Sequence, residues 1–181
     1  MKFVFTCLIC FLALNINAQD DVQKLLETAR TFTRQGDYTN AILVLNRAAA
    51  LKPTDLGIQK DIAFTQYLAG DYDQASVLIQ QLMEREDADV QTFQIAGNIY
   101  IQLQLTKDCE KLYRQGIKKF PESGPLYNEL GELLSTQNDI SAITEWEKGI
   151  EVDPNYSKNY YNACKYYYLT SDKIWSILYG E

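Results

Sequence analysis

The sequence contains no histidine, and this absence bears first on catalysis. Histidine supplies the usual general base near neutral pH and is the commonest protein ligand for metals. A serine or cysteine hydrolase with a histidine base is therefore excluded. The chain also has no glycine-rich phosphate loop and no cysteine cluster with metal-ligand spacing. We expect a protein that is not an enzyme and has neither a cofactor nor a metal site.

Positive charge is the second shortage, since 17 Lys and Arg stand against 24 Asp and Glu, a formal net charge of −7. Nucleic-acid binding needs clustered cations to neutralise phosphates, so we expect no nucleic-acid partner. One acidic cluster comprises Glu84, Glu86, Asp87 and Asp89. It lacks the glycine and the terminal glutamate of a helix-loop-helix calcium site. We interpret it as a solvated charged surface.

Long apolar runs are also missing, apart from Phe3 to Leu14 near the N-terminus. A membrane-spanning helix needs about 20 apolar residues, and this run has 12. Lys2 precedes it, and Ala18, with Ile16 two residues earlier, suits cleavage by signal peptidase. We predict a signal peptide at residues 1–18, a mature chain that begins at Gln19 without a membrane span, and export to the periplasm or beyond.

The chain does contain an internal repeat, with a period of about 34 residues. Gly36-Asp37-Tyr38 returns as Gly70-Asp71-Tyr72, and an alanine follows three residues after each tyrosine. Aligned on this period, the small residues of a first helix are Ala29, Ala63, Gly97, Gly131 and Cys164. The small residues of a second helix are Ala41, Ala75, Cys109, Ala142 and Ser176, and its large residues are Leu45, Ile79, Tyr113 and Trp146. Because small residues let two helix backbones approach and large ones fill the space beside them, the pattern predicts packed helix pairs.

This pattern resembles the tetratricopeptide repeat from Val22 to the C-terminus. The resemblance implies an all-α fold, a right-handed solenoid of antiparallel helix pairs with four repeats and a partial fifth. The repeat domain is expected at residues 19–181. The repeats are placed at 22–55, 56–89, 90–123, 124–156 and 157–181. In this frame Cys109 and Cys164 lie two repeats apart on opposite members of the helix pairs, so we expect two buried free thiols.

The resemblance also implies a binding groove, because the first helices of successive repeats line a concave surface in this family. The side chains that the family offsets place in this groove include amides and aromatic rings, a mixture that suits an extended peptide or a helix of a partner protein. The candidate groove residues are Arg30, Lys60, Phe64, Tyr67, Gln94, Asn98, Ile101, Asn128, Glu132, Tyr161, Lys165 and Tyr168. An alternative is that Phe64, Tyr67 and Tyr168 only cover neighbouring helices. Since Phe64 follows Lys60 where the family's carboxylate clamp has asparagine, we expect no grip on a C-terminal carboxylate.

The C-terminal repeat carries an unusual number of aromatic residues. Tyr160 and Tyr167 are predicted to lie in the core, whereas Tyr161, Tyr166 and Tyr168 are predicted to face outward, and Lys173 to Glu181 is predicted to start a second helix. The candidate docking residues at this end are Tyr166, Trp175, Ile177 and Leu178. Two explanations of the uncapped end remain open. Either the natural chain continues past Glu181, as a resemblance to exported repeat proteins of Bacteroidetes-type bacteria suggests, or the end docks with another copy or another protein.

Together these features predict a non-enzymatic protein-interaction scaffold, placed in a cell-envelope assembly. The alternative is a structural element that oligomerises through its apolar C-terminal face.

Overall fold

A computed structural model describes the backbone of residues 21–179 and the side chains of residues 21–170. All regular secondary structure in this part of the chain is helical, which confirms the predicted all-α class. The chain forms two compact units, Met1–Ala88 and Asp89–Glu181. The predicted signal peptide at residues 1–18 lies outside the described residues.

The described part of the first unit consists of two helix pairs. Helix α1 is described from residue 21 to 34, and the other three are α2 (Tyr38–Leu51), α3 (Leu56–Ala69) and α4 (Tyr72–Met83). Asp37 and Asp55 cap α2 and α3, each accepting a hydrogen bond from a backbone N–H in the first turn. Helix α2 packs on α3, and α3 on α4. The core of the unit contains Val22, Ala29, Val44, Leu45, Ala48, Ile58 and Ile62.

The second unit continues the same architecture with five helices in its described part. They are α5 (Val90–Gln102), α6 (Thr106–Lys119), α7 (Gly124–Thr136), α8 (Ser141–Val152) and α9 (Ser157–Tyr179). Each helix packs on the next, and contacts also join α5 to α7 and α7 to α9. The first helices of successive pairs are therefore neighbours in this unit.

The turns inside the helix pairs recur with the period of the repeat. The backbone has a positive φ at Gly36 (76°), Gly70 (84°), Gln104 (59°) and Asn138 (58°), each one full period after the previous one. The N–H of the next residue then donates to a carbonyl five residues back in the helix, at 2.9 to 3.0 Å. This hydrogen bond satisfies a carbonyl that the end of a helix would otherwise leave unpaired.

The predicted contacts between small and large residues are confirmed inside the pairs. A Cβ atom added at Gly97 would collide with the side chain of Tyr113, and one added at Gly131 would collide with the indole of Trp146. In the first unit, Ala29 and Leu45 belong to one core cluster. The glycines therefore let large aromatic side chains pack directly on a helix backbone.

Helix α9 differs from the prediction for the fifth repeat. It runs unbroken to Tyr179, so Lys173 and the following described residues extend α9 instead of starting a second helix. The next turn would fall at Ser171, the position that Asn138 has in the preceding repeat, but Ser157–Tyr179 contains neither glycine nor proline to stop the helix.

This continuation changes the surroundings of several side chains. Tyr160 and Tyr167 are 42% and 51% exposed, not buried as predicted, because no second helix covers them. Tyr166 is half-buried instead, and its ring meets the ring of Trp146 edge-on at 5.7 Å. Cys109 and Cys164 are free as predicted, but Cys164 is exposed and Cys109 is buried.

The remaining candidates at the C-terminal end are Trp175, Ile177 and Leu178. Their side chains lie outside those that the structure describes, so their docking role stays a prediction. Within residues 21–179, no helix combines the length and the apolar character that crossing a membrane requires.

Candidate functional site

Amide side chains connect the first helices of the second unit. Gln94 on α5 and Asn128 on α7 occupy the same position of successive repeats, and Asn162 on α9 lies one position later in its own repeat. The Nε2 atom of Gln94 donates to Oε1 of Glu129 at 3.2 Å. The Nδ2 atom of Asn162 donates to Oδ1 of Asn128 at 2.8 Å and to Oε1 of Glu132 at 2.9 Å. These bonds join α5 to α7 and α7 to α9, and we call the five residues the amide ladder.

Asn128 makes its hydrogen bonds inside the protein. Its side chain is 1% exposed, and its Nδ2 atom donates to Oε1 of Glu132 at 2.9 Å. Its backbone oxygen accepts a hydrogen bond from Nε1 of Trp146 at 3.3 Å. Since these groups are buried and paired, Asn128 positions its neighbours rather than offering a contact to a ligand.

Two members of the amide ladder, Asn162 and Glu129, are absent from the candidates chosen by family offsets. In the repeat alignment Asn162 is equivalent to Glu129 and not to Gln94 and Asn128, so no recurring amide indicated it. Glu129 has no such signal either, because the equivalent residue of the preceding repeat is Ile95. Burial raises the pKa of the Glu129 carboxyl, although its hydrogen bond from Gln94 acts in the opposite direction.

The other candidates of the second unit remain accessible. Gln94 and Asn98 are half-buried, and Glu132 and Lys165 are exposed. Ile101, Tyr161 and Tyr168 are 44%, 67% and 69% exposed. The exposure of Tyr168 argues against the alternative that this ring only covers a neighbouring helix.

A cavity of about 340 Å³ opens between α7, α8 and α9, and we call it the α7–α9 cavity. It combines the exposed charged groups with two aromatic rings, because Glu132 and Lys165 share its lining with Trp146 and Tyr166. The described residues that line it are Glu132, Ser135, Thr136, Trp146, Asn162, Lys165, Tyr166 and Leu169.

The candidates of the first unit fall into two groups. Phe64 stacks on Tyr67 with 5.9 Å between ring centroids, and Tyr67 also meets Tyr72 of α4 at 5.9 Å. Tyr67 is half-buried and therefore does cover a neighbouring helix, as the alternative holds, whereas Phe64 is 37% exposed. Arg30 is exposed, but Lys60 is buried.

Among the side chains of residues 21–170, no group of three or more cysteine, aspartate and glutamate side chains could hold a metal ion. The polar groups of the amide ladder bond to one another, and none of their hydrogen bonds joins a nucleophile to a base.

Comparison with known proteins agrees with the repeat pattern. Residues 32–99 match the model of the tetratricopeptide repeat. No curated protein matches the sequence.

Solved structures show the same fold at low sequence identity. TTC0263, a thermophilic tetratricopeptide-repeat protein of Thermus thermophilus, superposes with a TM-score of 0.66 at 15% identity, covering 82% of this chain and 82% of its own. MamA from Desulfovibrio magneticus RS-1 has a TM-score of 0.62 at 15% identity, covering 84% of this chain and 87% of its own. YrrB, described as a tetratricopeptide-repeat protein with an unusual peptide-binding site, has a TM-score of 0.55 at 14% identity, covering 81% and 76%.

Proposed function

We propose that this tetratricopeptide-repeat protein is a non-enzymatic scaffold that binds a partner protein through an extended peptide or a helix. The binding surface is formed by α5, α7 and α9 of the second unit. The amide ladder carries this proposal, because it ties the three helices together side by side. A surface held in place before binding loses little conformational freedom when a ligand arrives.

The side chains left accessible around the ladder suit a peptide. Ile101, Tyr161 and Tyr168 offer apolar area, and Glu132 and Lys165 offer charge. Tyrosine contributes a large contact area at a small cost in side-chain entropy. The description of YrrB as a peptide-binding protein of the same fold supports this choice of ligand.

A peptide array tests the proposal with the chain from Gln19 to Glu181. We expect this protein to bind a subset of short random peptides, and the double variant Tyr161→Ala, Tyr168→Ala to lose most of that binding. The matched control is Tyr160→Ala, Tyr167→Ala, which removes two exposed tyrosines from other positions of the same helix. Equal binding by the wild type and the Tyr161/Tyr168 variant would contradict the proposed surface.

We also propose that the protein is exported and acts in a cell-envelope assembly. The apolar run Phe3 to Leu14 and the following Ala18 support export. The N-terminal sequence of protein recovered from the producing cell is expected to begin at Gln19. Recovery of a chain that begins at Met1, with none beginning at Gln19, would rule this out.

A second candidate function is oligomerisation through α9. The observation that favours it is the exposure of Tyr160, Tyr167 and Leu169 on one helix, at 42%, 51% and 56%. Light scattering after size-exclusion chromatography separates the two functions. If the wild type is a dimer and the double variant Tyr160→Ser, Tyr167→Ser is a monomer, oligomerisation is supported. If the wild type is a monomer at high concentration, peptide binding is left as the function.

A further inference from the structure

We propose that the α7–α9 cavity receives an arginine side chain of the bound peptide. This inference rests on the proposed function and adds the class of side chain that the surface selects. It follows from the hydrogen bonds already made by the cavity lining, from its charge and from its aromatic rings.

The hydrogen bonds inside the protein leave mainly acceptors on the cavity wall. An asparagine amide has two hydrogens, and Asn162 directs its Nδ2 atom to Asn128 and to Glu132, which leaves its Oδ1 atom available. Glu132 uses Oε1 for both internal bonds, and its Oε2 atom has no hydrogen bond among the described residues. The hydroxyl of Thr136 donates to the backbone oxygen of Leu133 at 2.6 Å, so it also presents lone pairs.

A group rich in donors would satisfy these acceptors. The guanidinium of arginine has five N–H donors in a planar fork and no acceptor. A carboxylate ligand would instead meet the charge of Glu132 and the lone pairs of Asn162 and Thr136. Lys165 supplies the opposing charge, but it is exposed and carried on a flexible stem, so it can turn toward solvent.

The aromatic part of the lining favours the same occupant. The rings of Trp146 and Tyr166 meet edge-on at 5.7 Å and both line the cavity. Because Trp146 is only 3% exposed, the more accessible ring is that of the half-buried Tyr166, and a guanidinium plane packs on such a ring and is attracted by its negative face. The volume of about 340 Å³ is at the lower end of ligand pockets and suits one long side chain rather than a helix.

Trp146 itself can report on the occupant. The chain has two tryptophans, so Trp175→Phe leaves Trp146 as the one tryptophan, whose emission can be excited at wavelengths that tyrosine does not absorb. This protein is titrated with N-acetyl-arginine amide and with N-acetyl-citrulline amide, which has the same shape without the charge. We expect a saturable change of emission with the arginine compound and at least about tenfold weaker binding of the citrulline compound, because hydrogen bonds to charged groups are the stronger ones.

Three variants decide whether the cavity is responsible. Glu132→Gln is expected to remove the preference for arginine over citrulline, and Lys165→Gln to tighten arginine binding by removing a like charge. Glu122→Gln is the matched control, because it makes the same charge change at an exposed residue outside the cavity lining, and it should bind as the wild type does. Thermal unfolding of each variant establishes that it is folded.

The outcomes separate this inference from the proposed function. Equal affinity for the two compounds, no saturation with either, or an unchanged preference in both Glu132→Gln and Lys165→Gln would overturn the arginine site. Peptide capture on the array that depends on Tyr161 and Tyr168 but not on arginine would retain the scaffold and overturn the cavity's role. An arginine preference in the titration without any peptide capture would retain the cavity as a guanidinium site and reject the scaffold function.

Discussion

At the scale of single residues, Gly131 shows how closely a helix backbone meets an aromatic ring. A Cβ atom at this position would lie 2.7 Å from Cδ1 and 2.8 Å from Cε2 of the buried Trp146 side chain. Because a rigid indole has no free space to move into, Gly131→Ala is expected to lower the free energy of unfolding by about 1–3 kcal/mol. Urea unfolding followed by circular dichroism measures the change.

Gly57→Ala is the matched control for that substitution. The nearest atom to its added Cβ would be Oδ1 of Asp55 at 3.2 Å, and alanine favours a helix over glycine by about 1 kcal/mol. This variant should unfold at an unchanged or higher urea concentration. A Gly131→Ala protein as stable as the wild type would show that Trp146 is free to shift.

The two cysteines are expected to differ sharply in reactivity. Cys109 is buried, and burial raises the pKa of its thiol to about 12, whereas Cys164 is exposed. Because the thiolate is the reactive form, Ellman's reagent at mildly alkaline pH should titrate one thiol of the native chain from Gln19 to Glu181. The second should react only after unfolding. Cys164→Ser is the control and should leave no fast thiol, and two fast equivalents in the wild type would contradict the burial of Cys109.

At the scale of helices and turns, the residue in the left-handed turn conformation differs between pairs. Gly36 and Gly70 adopt it freely, but Gln104 and Asn138 adopt it at φ 59° and 58° with a side chain present. A left-handed conformation costs a residue other than glycine about 1–2 kcal/mol, and asparagine tolerates it better than most. We expect Gln104→Gly to raise the free energy of unfolding by about 1 kcal/mol, less any entropy that glycine adds to the unfolded chain.

Asn138→Gly provides the comparison for that turn substitution. It should stabilise the protein less than Gln104→Gly, since asparagine already suits the conformation. The same urea measurement serves both variants. A larger gain at Asn138, or a loss at Gln104, would mean that a contact of the glutamine side chain outweighs the backbone strain.

The elements also show how far sequence reasoning extends. The repeat period predicted the helix pairs, together with the match of Gly97 on a first helix to Tyr113 on a second and of Gly131 to Trp146. These contacts are local to a repeat. The unbroken course of α9 was not predicted, since repeat alignment assumes a turn that the residues near Ser171 do not enforce. For the candidate site, the family offsets selected Glu132 and Lys165, which line the α7–α9 cavity, but they also selected the buried Asn128. Packing between repeats decides which amide side chain makes its hydrogen bonds inside the protein. The sequence of one repeat does not contain that information.

At the scale of the whole molecule, the net charge of −7 bears on the choice of partner. A field of one sign attracts ligands of the opposite charge and speeds their encounter. The arginine site and the overall charge therefore favour the same class of peptide, although they act on different steps. The distributed charge acts on association, and the contacts inside the α7–α9 cavity act on dissociation.

This division predicts how salt changes the kinetics of an arginine-containing peptide taken from the array. Raising the ionic strength about tenfold shortens the screening length from roughly 10 Å to 3 Å, so the association rate constant should fall while the dissociation rate constant stays nearly the same. Surface plasmon resonance measures both constants. Glu132→Gln should mainly speed dissociation, because it removes a contact, whereas Glu122→Gln should change association slightly and leave dissociation alone. An association rate independent of salt would show that the overall charge does not guide the encounter, and slower dissociation in Glu132→Gln would show that its carboxylate opposes the bound side chain.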